Sequence, residues 1–355
     1  MYSQIHLEFE QAYFERILAK LDTHEERTLL LDLLKKFFTQ IRMLNIKWSE
    51  MMKYCDIGSA NIAYRIYGIG EKTLVIDSCL GSCSAEWWHI GEALSDKYKI
   101  LVYDRAGYGE STTSTLLRTP QNIALELNKL LKSLNMDKDI VIVGHSQGGL
   151  NAIQYTSMYP DQIRGLILID PATPFDNEFK EKLTAAEYKK SGVDKTMTYK
   201  IANIAMSLGL GFIFKPLIKK SPPFYYYDFS NEAKEYLLRA SCKKNTYKTA
   251  LAEYEFSHCN DTRNISEVIN NSALQDMRVI LLTHSSDFYI KELEHFGNLD
   301  LQTAQRVESL WQDIMKRCLS VSSNTKYVMA PNSGHYIHLT DFEILRNSID
   351  SFFPD

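Results

Sequence analysis

The sequence predicts an α/β fold: a mostly parallel sheet with helices on both faces, a helical insertion, and a helical extension at the N-terminus. Three observations predict it. Short apolar runs alternate with helical patterns over residues 51–171. That alternation breaks over 172–275, which read as largely helical and rich in aromatics, and resumes over 276–355. One apolar run ends in a Gly-x-Ser-x-Gly turn that opens a helix. Strand–helix alternation favours parallel pairing, because each crossover helix returns the chain to start the next strand in the same direction.

Residues 1–50 form the predicted extension. Phe9, Tyr13, Phe14, Ile17, Leu18 and Leu21 recur at three- and four-residue spacing, and Leu29 to Ile41 repeats the pattern after Asp22-Thr23-His24. Two such helices cannot bury both apolar faces alone. They must pack on the main body, on a second copy of the chain, or on a partner; the first two are favoured, so a homo-oligomer through these helices is one expectation.

The predicted core follows in order. Met51–Ile57 and Ala60–Tyr67 read as a hairpin around Gly58. Thr73–Ser78 is a short apolar strand, Glu86–Lys97 a helix, and Lys99–Asp104 a buried strand. Thr119–Asn135 reads as a helix, with Pro120 near its start where a missing N–H costs little. Ile140–Gly144 is a strand, Gln147–Tyr159 a helix stopped by Pro160, and Ile163–Ile169 a strand. Beyond the insertion come a strand at Arg278–Thr283, a helix over roughly 300–319, a strand at Lys326–Met329 and a helix at Phe342–Phe352.

The chemistry concentrates in Ile140-Val-Ile-Val-Gly144-His145-Ser146-Gln147-Gly148-Gly149. A serine hydroxyl becomes a nucleophile when held on an exposed, strained turn beside a base. Gly144 and Gly148 lack the Cβ atoms that would collide in such a turn. The helix that follows offers free N–H groups and a positive end to an oxyanion. Ser146 is the predicted nucleophile. His335, in Asn332-Ser333-Gly334-His335-Tyr336-Ile337-His338, follows the last strand and is the predicted base; His338 is the weaker candidate and His145 is expected to be structural. The acid that orients the imidazole falls on Asp170, which ends a strand, or on Asp287, which follows the next one. An oxyanion hole needs two N–H donors. One is expected from Gln147, the other from the loop Asp77-Ser78-Cys79-Leu80-Gly81-Ser82.

Together these residues resemble the α/β-hydrolase superfamily over roughly residues 55–353. The resemblance also takes in Tyr103-Asp104-Arg105-Ala106-Gly107-Tyr108-Gly109-Glu110-Ser111, Gly165-Leu-Ile-Leu-Ile-Asp170-Pro171 and Ser333-Gly334-His335. It implies an eight-stranded sheet with a helical cap (lid) at 172–275, with 51–171 and 276–355 as the core, and structural roles for Asp104 and Arg105. Two departures matter. The family's usual His-Gly in the oxyanion loop is Ser78-Cys79 here, which places Leu80 as the second donor. The usual acid position aligns with Phe288, one past Asp287. Members such as haloalkane dehalogenases place the acid after the preceding strand, where Asp170 falls in register. Asp170 is therefore preferred and Asp287 kept as the alternative. Haloalkane dehalogenase activity itself is not expected, because that chemistry uses an Asp nucleophile.

The implied function is hydrolysis of a carboxylic ester or related acyl compound, an apolar small-molecule acyl substrate, through a Ser-His-Asp triad and an acyl-enzyme, with no metal or organic cofactor. Amide or peptide hydrolysis, acyl transfer, and a ligand receptor on a hydrolase scaffold are the alternatives. Trp87, Trp88 and Phe214 are candidate pocket residues. The uncharged run Ile201–Phe214 reads as a buried cap helix or as a lid facing an acyl chain.

Composition narrows the rest. A net charge of −4 gives no Lys/Arg-rich face for nucleic acid. Cys55, Cys79, Cys83, Cys242, Cys259 and Cys318 are scattered, form no C-x-x-C pair, and read as free thiols of a reducing compartment. The start MYSQIHLEFE lacks the order of a signal peptide, and no apolar run reaches the ~18 residues of a membrane span. A cytoplasmic location is expected.

Overall fold

A computed structural model describes residues 52–259 and 263–354. The helices predicted within 1–50 lie outside the described residues, so the oligomer expectation built on them does too. Eight strands form one sheet: β1 Lys53–Asp56, β2 Asn61–Tyr67, β3 Thr73–Asp77, β4 Lys99–Tyr103, β5 Ile140–His145, β6 Ile163–Ile169, β7 Val279–Thr283 and β8 Thr325–Met329. Their spatial order is β1-β2-β4-β3-β5-β6-β7-β8. Strand β2 runs antiparallel to β1 and β4, and every other neighbouring pair is parallel.

The helices before the insertion are α1 Trp88–Leu94, α2 Pro120–Ser133 and α3 Gln147–Met158. Between β6 and β7 come α4 Asn177–Lys182, α5 Ala185–Ser191, α6 Thr196–Ser207, α7 Gly211–Ile218, α8 Asn231–Ser241, α9 Lys244–Tyr254, a π turn at Glu255–Cys259, and α10 Arg263–Asn270. The chain then forms α11 Ser286–Gly297, α12 Leu301–Met315, α13 Ile337–Thr340 and α14 Phe342–Ser351.

Strand periodicity divides the core. Val141 and Val143 of β5, with Ile167 and Ile169 of β6, pack on one face of the sheet. Ile140 and Ile142, with Leu166 and Leu168, pack on the other. Residues from α1, α8 and α14 cover the first face; α2, α3 and α10 cover the second. Burying each of these branched side chains stabilises the fold by about 1.5–3 kcal/mol. Truncating one, as in Ile142→Ala, costs about 2–5 kcal/mol. The predicted start of α2 holds: Pro120 is its first residue, and the Thr119 hydroxyl accepts from Asn122 N–H at 3.2 Å.

Three differences from the sequence pattern have local causes. The helix expected from Glu86 begins as a 3-10 turn at Ser84–Trp87, where Asp104 accepts from Ser84 N–H at 2.7 Å. The helix expected over 300–319 tightens into a 3-10 turn at Lys316–Val321. Helix α11 is absent from the sequence reading because charges at Asp287, Lys291, Glu292 and Glu294 interrupt its stripe of Tyr289, Ile290 and Leu293. That stripe packs against α12.

Candidate active site

The site gathers at the carboxyl ends of β3, β5, β6, β7 and β8, the edge at which ligands bind in open α/β sheets. Ser146 sits between β5 and α3 with φ at +52°. A Cβ on Gly144 would lie 2.5 Å from the Gly148 carbonyl oxygen, and one on Gly148 would lie 2.1 Å from that of Asp77. Only glycine permits the turn. Backbone bonds hold it in place: Ser146 N–H donates to the Ile169 carbonyl at 3.0 Å, and Ala172 N–H donates to that of Ser146 at 2.9 Å.

Asp170, just past β6, also adopts a positive φ, +42°. Two non-glycine residues in the left-handed region, each costing about 1–3 kcal/mol, mark the two turns on which function would rest. Asp170 is buried, and each of its oxygens meets an imidazole. His335 Nδ1–H donates to Oδ2, and His284 Nδ1–H donates to Oδ1 at 2.7 Å. Burial alone would raise the Asp170 pKa, but the His284 charge and the hydrogen bonds from both rings hold it well below the carboxylate range. His284 Nε2 faces Glu308 at 3.0 Å, and its ring stacks on Tyr289. Burial opposes charge on His284, but Asp170 and Glu308 outweigh it and push the pKa up to about 10. At neutral pH His284 is an imidazolium between two carboxylates.

Asp287 is brought to no such place. It is exposed in the first turn of α11, away from the polar partners of His335. His338 is buried, with Nε2 2.8 Å from Glu86 and its ring stacked on Trp87. His145 turns Nε2 to the His335 carbonyl at 3.0 Å, bracing the loop from behind.

The two predicted oxyanion donors are oriented by the peptide units they belong to. The Cys79 carbonyl accepts from Arg105 Nη2 at 3.1 Å. In a trans peptide the Leu80 N–H must point the opposite way. The Ser146 carbonyl accepts from Gly149 N–H at 2.9 Å, so the Gln147 N–H likewise points away from α3. Leu80, Gln147, Ser146 and His335 all line one cavity of about 770 Å³. Its further lining is largely apolar, including Phe179, Leu293, Phe296, Val307 and Ile314, with Asp176, Lys195 and Glu292 among the charged groups.

The candidate pocket residues need correction. Trp87 and Trp88 lie outside the cavity lining because both are buried in the core beneath the sheet edge. Trp87 stacks on His338, and the Arg65 guanidinium sits 3.4 Å over Trp88. Phe214, on α7, is also absent from the lining, which that part of the chain reaches at Ser221 and Pro222.

Arg105, expected to be structural, and several groups beyond the sequence reading complete the site. Arg105 is buried, bonded to Asp77 at 2.6 Å and to Glu253 at 3.0 Å; Glu253 also meets Arg118 at 2.8 Å. Glu253 belongs to α9, so the insertion is tied to the loop that follows β3 through one guanidinium. His258, on the π turn, lies 3.2 Å from Gln147 Oε1, and Ser257 accepts from Gln147 Nε2 at 2.9 Å. His284 had one legible signal: it directly follows β7, the neighbour of the strand that ends in Asp170. Cys79, Glu86 and His145 also converge within 4.8 Å of one another. That group is already engaged, since Glu86 bonds Ser82 and His338, and burial raises the Cys79 thiol so that it keeps its proton.

Comparisons with known proteins agree with the architecture. Residues 72–202 match the family described as alpha/beta hydrolase fold. The uncharacterized protein YqjL of Bacillus subtilis is 32% identical over 125 residues, 35% of this chain and 49% of that one. The Karrikin insensitive 2 receptor B of Petunia hybrida is 26% identical over 117 residues, 32% of this chain and 42% of the receptor. The chain thus spans about half the length of these curated relatives. A thermophilic esterase from Thermogutta terrifontis superposes with a TM-score of 0.56 at 18% identity, covering 85% of this chain and 97% of the esterase. No helix among the described residues is long and apolar enough to cross a membrane.

Proposed function

We propose that this chain, a member of the α/β-hydrolase superfamily, is a serine hydrolase that cleaves a carboxylic ester or related acyl compound through an acyl-enzyme. The observation that supports this most is the His335–Asp170 pair on the same cavity as Ser146, which sits on a strained strand-to-helix turn. With Nδ1–H given to Asp170, His335 keeps Nε2 as its basic nitrogen. Ser146 Oγ attacks the acyl carbon as Nε2 takes its proton. The N–H groups of Leu80 and Gln147 hold the oxyanion. Collapse breaks the acyl–oxygen bond, and the leaving alcohol takes the proton from Nε2. Water then repeats the sequence, releasing the acid and restoring Ser146. Helices of 172–275 serve as a cap, and the apolar side chains Phe179, Val307 and Ile314 suit an apolar acyl part.

A fluorophosphonate probe tests the reading. The full chain is expected to label at Ser146, and Ser146→Ala is expected to lose both labelling and turnover of p-nitrophenyl esters. Turnover that survives Ser146→Ala would sink it. Aminoacyl anilides run in parallel separate ester from amide cleavage, and a bound alcohol acceptor separates hydrolysis from acyl transfer. A second reading, ligand reception on this scaffold, draws on the similarity to the Karrikin insensitive receptor. It is favoured if the probe labels Ser146 while no ester or anilide in the panel turns over repeatedly.

A further inference from the structure

Helix α6 and its C-cap carry Met197, Ile201, Ile204 and Leu208, each 60–69% exposed. At about 100° per residue these four fall within an arc of roughly 60°. The buried residues of α6, Ala205 and Met206, are a separate set. The stripe is therefore a second apolar face, distinct from the one that packs into the protein. On α7, Ile213 and Leu217 lie four residues apart and are 57% and 63% exposed. Exposed apolar side chains scattered singly are ordinary; six along two consecutive short helices are not.

Between the exposed Asp194, which accepts from Thr196 N–H at the start of α6, and Asp228, which pairs with Lys234, the charge is one-sided. Residues 195–227 contain Lys195, Lys200, Lys215, Lys219 and Lys220 and no Asp or Glu, in a chain of net charge −4. Lys200, Lys215, Lys219 and Lys220 are exposed. The same segment reaches the cavity, whose lining includes Lys195, Thr198, Tyr199, Ser221 and Pro222.

We propose that the outer face of α6 and α7 docks on an anionic lipid bilayer, lying in the plane of the interface. The apolar tips enter the acyl boundary, and the lysine ammonium groups reach the headgroups on their flexible stems. The acidic remainder of the chain is repelled by the same surface, which orients the protein with its cavity toward the lipid. The docking does not depend on the hydrolase reading.

Flotation of the full chain with vesicles of phosphatidylcholine alone, or with about one-third phosphatidylglycerol, tests this. Binding to the anionic vesicles is expected to exceed binding to the neutral ones and to weaken as salt shortens the electrostatic range. The double variant Ile201→Asp with Leu208→Asp is expected to lose at least about tenfold in affinity for the anionic vesicles. The triple variant Lys215→Glu, Lys219→Glu, Lys220→Glu alters only exposed charge and is expected to do the same. If the aspartate variant does not fold, the lysine variant decides alone. Absence of flotation by the full chain, or flotation unchanged in a folded variant, overturns the proposal. So does a dimer in lipid-free solution that Ile201→Asp dissociates, because the face would then belong to a second copy. Flotation reads no turnover, so its failure leaves the assignment of Ser146 untouched.

Discussion

On the sheet side of the cavity, Asp170, His284 and Glu308 are buried, and their charged atoms face a counter-charge or a hydrogen-bond donor. On the side of α6 and α7, lysines and large apolar residues stand exposed, joined to little beyond their own helices. The first wall holds strain, with positive φ at Ser146 and Asp170, and its surroundings over-determine that geometry. The second wall holds no such strain in its helices: α6 packs its inner side on α9, with Tyr199 against Tyr247 and Tyr254, and leaves its outer side free of ion pairs among the described residues. The difference teaches where position matters. Reacting groups must be held within fractions of an ångström, whereas a wall that admits a ligand is better drawn from the less tightly packed end of the molecule.

The sharpest break in this contrast comes from the strained residues. Asp170→Asn is expected to lower kcat by about 10⁴ through the wrong His335 tautomer, and Ser146→Ala by at least as much, both read with a p-nitrophenyl ester. Ser146→Gly should abolish turnover yet raise unfolding free energy by about 1 kcal/mol, measured by urea titration, because glycine accepts φ +52° without strain.

Next comes the buried tie between α9 and the loop after β3. Glu253→Gln leaves Arg105 and Arg118 short of a shared counter-charge and is expected to cost about 3–5 kcal/mol in urea unfolding.

The His284 cluster gives a pair of opposite shifts. Asp170, His284 and Glu308 sum to one negative charge near His335, while Glu292 and His145 face His335 from α11 and β5 and stay unchanged. His284→Asn removes the positive charge, stabilises the His335 imidazolium, and should move the acid limb of kcat/KM to higher pH. Glu308→Gln removes a negative charge and should move it lower. Each shift is expected to be about half a unit to one unit. A purely structural role would move both variants the same way or neither. Stability follows with a definite sign. The folded pKa of His284, about 10, lies above the ~6.5 of a free imidazole. Its stabilising effect is therefore complete below about pH 6.5 and is lost as pH rises through about 10. The Tm of the wild type should fall over that window, and His284→Asn should lack that part of the fall.

The smallest effect belongs to the outer wall. Ile204→Ser on α6 is expected to change unfolding free energy by no more than about 0.5 kcal/mol in lipid-free solution. A larger loss would show that the two walls differ less than their burial suggests.

The strands were legible because each is a short apolar run whose alternate residues enter two different cores, and β5 and β6 show this most plainly. The turn at Ser146 was legible because its glycines are adjacent in sequence to the residue they free. Asp170 was half legible, since chain order and strand end pointed to it while a second carboxylate met similar conditions. What escaped is nonlocal. The pairing of Glu308 with His284, and of Glu253 with Arg105, joins residues 24 and 148 positions apart. Trp87 and Trp88 illustrate the converse: two large aromatics beside the predicted oxyanion loop suit a pocket wall equally well in sequence, yet the register of the 3-10 turn and α1 sends both into the core.

The double clasp of Arg105 and Arg118 on Glu253 bears on how ligands come and go. Swinging the whole 172–275 segment outward would pull a carboxylate from between two guanidinium groups deep inside the protein, a movement opposed by several kcal/mol. Helix α9 therefore behaves as a fixed post with α6 packed along it, and exchange with the surroundings is expected to open nearer α7, while the post stays bolted.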